Sequence, residues 1–106
     1  MESFTVYAEW EAEQPISEEA VAGISEQLRP NDESVCVWFG DTSNRFRLSI
    51  DLDELSYEAA GRAGGLVTHE AAELANLTGR LVRVTVCTEG GQADFTDPET
   101  ELMGTA

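Results

Sequence analysis

The chain has 106 residues, enough for one hydrophobic core and too few for two, and its 42% apolar residues are gathered in periodic segments, so it is expected to fold and not to remain disordered. Asp and Glu number 21 against six basic residues, all of them Arg, and the formal charge of −15 repels phosphate backbones and argues against direct nucleic-acid binding. No stretch approaches the ~18 uninterrupted apolar residues of a membrane span, and Met1-Glu2-Ser3-Phe4 has neither a basic nor an apolar leader character, so the expectation is a cytoplasmic protein with no membrane contact.

From Phe4 to Trp10 the side chains alternate, with Phe4, Val6, Ala8 and Trp10 on one side and Thr5, Tyr7 and Glu9 on the other, the pattern of a half-buried strand. Ser17 then reads as an N-cap, followed by Glu18 and Glu19 in the positive first turn, with Ile16 stapled to Val21. Val21, Ile24 and Leu28 form one apolar stripe of a helix that must stop before Pro30, and Pro30-Asn31-Asp32 reads as a turn. Ser34 to Phe39 and Arg45 to Leu52 are strand-like runs joined by the polar connector Gly40 to Asn44. In the second run Phe46, Leu48, Ile50 and Leu52 alternate strictly with Arg45, Arg47, Ser49 and Asp51.

Ser56 can cap a second helix, along which Ala60, Ala63, Val67, Ala71 and Leu74 recur at helical spacing up to about Leu77. Gly64-Gly65 interrupts it at a cost of about 1 kcal/mol per glycine, which leaves open a kink or a break into two short helices there. Gly79 is expected to end the helix, and Leu81 to Thr88 to form the last strand with Val82, Val84 and Val86 toward the core. The Gly-, Asp-, Glu- and Thr-rich residues 90–106 are expected to be an acidic, disordered tail behind a single domain of residues 1–89.

The order β-α-β-β-α-β predicts an α+β, ferredoxin-like sandwich, a four-stranded antiparallel sheet in the order 4-1-3-2 with both helices on one face. The second half of the chain, from Arg45-Phe46-Arg47-Leu48-Ser49-Ile50 through Ser56-Tyr57-Glu58-Ala59-Ala60 to Leu81-Val82-Arg83-Val84-Thr85-Val86, resembles small ferredoxin-like domains of actinobacteria and their phages. That resemblance implies the fold and no particular activity, since most such domains have none assigned.

Chemistry-bearing residues are sparse. The single histidine, His69, has Glu73 one turn away, but two groups do not make a metal site, and a solvated helix surface is expected. Cys36 and Cys87 lack CxxC spacing and fall on strands predicted at opposite edges of the sheet, about 14 Å apart, too far for a disulfide; they are expected to be buried or half-buried free thiols. The glycines show no phosphate-cradling spacing and the acidic clusters no calcium-loop pattern, so no catalytic residue, metal or cofactor is assigned.

Strand parity singles out the sheet face opposite the helices, where Tyr7, Trp38, Arg45, Arg47 and Arg83 are expected together. Tyr, Trp and Arg are the residues most enriched at interface hot spots. The expectation is therefore a non-enzymatic protein-interaction module, a homodimer that associates through this open face or an edge strand. An alternative is an acidic inhibitor or decoy, such as a phage counter-defence protein, an immunity protein or an antitoxin, whose helix acids Glu18, Glu19, Glu26, Glu58, Glu70 and Glu73 enter a basic protein groove. The absence of Lys beside six Arg points instead to biased codon usage as a source of the acidity. A second alternative is a small-molecule binding domain with a cleft near Trp10 or His69.

Overall fold

The alternation that begins the chain builds the central strand. In the structure, a computed structural model that describes residues 1–30, 32, 34–40 and 42–104, β1 spans Glu2–Ala12 and buries Phe4, Val6, Ala8, Trp10 and Ala12. α1 (Glu18–Leu28) starts where Ser17 accepts a hydrogen bond from the Ala20 amide at 3.1 Å, and it buries Val21 and Ile24. β2 (Cys36–Phe39) and β3 (Arg45–Glu54) follow, with Phe46, Leu48 and Ile50 buried. Asn31 of the expected turn and Asp41 of the expected connector lie outside the described residues.

α2 (Tyr57–Leu74) is one continuous helix capped by Ser56, so Gly64-Gly65 does not break it. The glycines bring the helix axis down onto the sheet: a Cβ on Gly64 would lie 2.5 Å from Val6 Cγ1, and one on Gly65 would collide with the Met103 side chain. Close packing against buried partners outweighs the helix-propensity cost of about 1 kcal/mol per glycine. The helix also ends earlier than expected. Asn76, at φ +57°, takes the left-handed position assigned to Gly79, and the Leu77 amide donates back to the Ala72 carbonyl at 2.8 Å. Leu74, expected in the apolar stripe, is exposed, while Thr68 is fully buried with its hydroxyl donating to the Gly64 carbonyl.

β4 (Gly79–Thr88) pairs antiparallel with β1, but the register shifts between Glu9 and Trp10, so that Arg83 stands opposite Glu9 and Leu81 opposite Trp10. This bulge turns Leu81 into the core in place of Val82, which is half-buried.

The expected disordered tail is not one. Gly91–Phe95 forms β5, paired antiparallel with β4, and Pro98–Glu101 forms the short helix α3. Leu102 is buried against Gly61, and its carbonyl accepts from Arg62 Nε at 2.9 Å. Among the described residues the fold is thus α+β with a five-stranded antiparallel sheet in the order β2-β3-β1-β4-β5 and three helices, where four strands and two helices were expected. One apolar cluster joins β1, β3 and β4 to α1, α2 and Leu102, and leaves the other sheet face without a helix.

Denaturant unfolding of three variants checks this packing. Gly64→Ala should lose about 1–3 kcal/mol through overpacking against Val6. Gly23→Ala, at a half-buried helical site where a Cβ meets nothing within 4 Å, should gain roughly 0.5–1 kcal/mol. Leu102→Ala should lose about 2–5 kcal/mol, a cost that a solvated tail would not show.

Candidate interaction face

The odd-numbered residues of β1 and β3 share the uncovered face, and the pairings set them in rows: Ser3 beside Asp53, Thr5 beside Asp51, Tyr7 beside Ser49, Glu9 beside Arg47 and Glu11 beside Arg45. β2 adds Cys36 next to Ser49 and Trp38 next to Arg47. β4 adds Cys87, Thr85, Arg83 and Arg80, and β5 brings Asp94 next to Thr85. Tyr7, Trp38, Arg45, Arg47 and Arg83 therefore all lie on this face, where they border a shallow concavity of about 710 Å³. Tyr7, on the middle strand of five, is 45% exposed and Trp38 37% exposed.

The arginines are not loose cations. Glu9, whose side chain is only 12% exposed, accepts from Arg45 Nη1 at 3.0 Å and from Arg47 Nε at 2.7 Å. Arg45 also reaches Glu11 Oε2 at 2.7 Å, and hydrogen bonding to Glu11, opposed by desolvation, raises the Arg45 pKa above its usual value. Exposed ion pairs are worth about 0.2–1 kcal/mol, so the effect of this ladder is mainly geometric. It ties two guanidinium groups of β3 to carboxylates of β1 where they would otherwise sample many rotamers.

At the far rim Arg83 Nη2 lies 3.3 Å from Asp94 Oδ1, and the Thr85 hydroxyl donates to the same oxygen. Hydrogen bonding from Thr85 first, and from Arg83 second, holds the Asp94 carboxyl below its usual pKa. Sequence reasoning missed Asp94, because it lies in the segment taken for a tail.

The opposite end of the face is acidic. Asp51 accepts from Thr5 at 2.7 Å and Asp53 from Ser3 at 2.8 Å, both from neutral hydroxyls.

Cys36 is exposed, contrary to the expectation of burial, and Cys87 is half-buried; neither forms a disulfide. They stand three strands apart, and β4, expected to be an edge, is covered by β5 along Val84–Thr88. His69 is partly exposed, and α3 shares its surface. Its Nε2 is 2.8 Å from Glu99 Oε1 of α3, and its ring meets Trp10 edge-on at 4.9 Å. The buried Trp10 Nε1 has no hydrogen-bond partner among the described residues. Also among the described residues, no three His, Cys, Asp or Glu side chains gather as metal ligands, and no helix is long and apolar enough to cross a membrane. The acids Glu18, Glu19, Glu26, Glu58, Glu70 and Glu73 are all exposed on α1 and α2, on the other side of the molecule. Comparison with protein-family models, curated proteins and solved structures gave no match.

The Asp94 contacts have a measurable consequence. A carboxylate whose folded pKa is depressed stabilises the fold fully above the ordinary Asp value of about 3.9, and that contribution is lost as pH falls through the folded pKa. The Asp94 carboxyl resonance should therefore titrate with a midpoint below the ordinary Asp range, and Thr85→Val should move that midpoint upward.

Proposed function

We propose that this chain is a non-enzymatic protein-interaction module that self-associates through the open face of its sheet, on a ferredoxin-like βαββαβ core extended by β5 and α3. The observation that carries the proposal is an uncovered sheet face with exposed Tyr7 and Trp38 beside arginines tied in place by Glu9 and Glu11. Rigid aromatics and pre-positioned guanidinium groups lose little conformational entropy on docking, which is the property shared by interface hot spots. The charge distribution supports the same reading. In a chain of formal charge −15, the acids of α1 and α2 point away from this face, so two copies meeting there bring their most negative surfaces no closer than the thickness of the molecule.

A second reading rests on those helix acids. Glu18, Glu19, Glu26, Glu58, Glu70 and Glu73 form an exposed acidic layer suited to a basic protein groove, and such binding weakens steeply as salt rises. A complex insensitive to salt would exclude it.

Sedimentation velocity and light scattering decide the first reading. The wild-type chain is expected to run as a dimer. Tyr7→Ala and Trp38→Ala should each weaken the dimer by roughly tenfold or more while leaving the far-UV circular dichroism unchanged. A wild-type monomer at millimolar concentration would overturn the proposal.

A further inference from the structure

The open face carries its own charge complement. Along β3 the residues on that face read Arg45, Arg47, Ser49, Asp51, Asp53: two positive, one neutral, two negative. The neighbouring strands keep that polarity. The rows of Glu9 and Glu11 hold Arg45, Arg47, Arg80 and Arg83 against two glutamates, four minus two or a formal +2, and the rows of Thr5 and Ser3 hold Asp51 and Asp53, a formal −2. Between them runs a row without charge on the central strands, Ser49-Tyr7-Thr85, with Cys36 at one end and Asp94 at the other.

We propose that the occupant of this face is a second copy of the chain, docked sheet to sheet about a two-fold axis that runs across the strands through the Ser49-Tyr7-Thr85 row. The proposal rests on the self-association reading above and fixes its geometry. An isologous contact on a sheet face needs an axis lying in the plane of the interface. Of the two simple choices, an axis along the strands sets arginine rows on arginine rows. An axis across the strands reverses strand direction and sets Arg47 over Asp51 of the other copy, and Arg45 over its Asp53. Tyr7 then lies against Tyr7 of the other copy at the centre, where water is excluded best. Asp94 falls on the axis at the rim, where its own Arg83 compensates its charge.

The shape is compatible with this arrangement. Two sheets with the same twist related by such an axis keep an even gap of about 10 Å. Three long strands about 4.8 Å apart with rows spaced ~6.8 Å along them, flanked by two edge strands of half that length, give a face of roughly 600 Å² per copy, within reach of the ~800 Å² per partner of a standard interface.

Cys36 supplies the test. It is exposed and lies on the axis row, so its thiol faces Cys36 of the other copy with Cα atoms about 10 Å apart. That separation exceeds the ~7 Å a disulfide allows and suits a short bis-maleimide. Cys87 lies one row off the axis, so its counterpart is displaced by a further ~13 Å along the strand. The bis-maleimide should give a covalent dimer with the wild-type chain and with Cys87→Ser, and none with Cys36→Ser.

Charge reversal gives an independent readout. Asp51→Arg makes the chain less negative, so relief of general repulsion would strengthen association, whereas an Arg facing Arg47 of the other copy should weaken it at least tenfold. Arg47→Asp combined with Asp51→Arg should restore affinity to within a few-fold of wild type. A wild-type dimer that is not linked through Cys36 and is unchanged or strengthened by Asp51→Arg would overturn this geometry and leave self-association standing. A monomeric wild type would overturn both.

Discussion

The two-residue period of β1 is the constraint on which the rest of the molecule depends. β1 is the middle strand of five and pairs on both sides, so the parity of its eleven residues fixes the parity of both neighbours. Shifting its register by one would expose Phe4, Val6, Ala8, Trp10 and Ala12 and bury Glu9 and Glu11. Fully burying one large apolar side chain is worth about 1.5–3 kcal/mol, so losing Phe4, Val6 and Trp10 alone would cost an amount comparable to the whole stability of a small domain, about 5–15 kcal/mol. The side chains of β1 and β3 on the open face are placed there by that period.

The sequence was legible where this period is regular. Phe46, Leu48 and Ile50 are buried as their alternation demands, and Ser17 and Ser56 cap the helices their spacing announces. It misled where one residue breaks the count. The bulge at β4 exchanges Val82 for Leu81 in the core, and no local signal distinguishes a strand that will bulge from one that will not, because the bulge answers the partner strand. Gly64-Gly65 read as an interruption since helix propensity is local, whereas the reason for two glycines is Val6 and Met103, far away in the chain. The same holds for the last segment. Its composition is that of a loop, but Phe95, Pro98 and Leu102 are spaced to reach β4 and α2, and an apolar residue every few positions is too weak a pattern to stand out.

That misreading hid part of the candidate site. Of the face's residues, Tyr7, Trp38, Arg45, Arg47 and Arg83 followed from parity, and Asp94 did not, because β5 itself was not foreseen. β5 also changes what the sheet can do. Without it β4 would offer a ten-residue edge with Val84 and Val86 beside unpaired backbone groups; with it the open edges are short segments: β2, β5, and the stretches Ile50–Glu54 of β3 and Gly79–Arg83 of β4 that those two strands do not pair. Short edges are poor templates for strand addition, which shifts the weight of any association from the edges to the face.

The charges of that face serve orientation more than affinity. Arg45 and Arg47 already have carboxylate partners within the chain, so meeting Asp53 and Asp51 of another copy replaces water with a second partner and gains little net energy. The wrong orientation is penalised heavily instead, since it crowds arginines together at one end and aspartates at the other as water leaves. On this view the affinity comes from Tyr7 and Trp38, and the polarity of β3 selects one of two orientations that those rings alone would accept nearly equally.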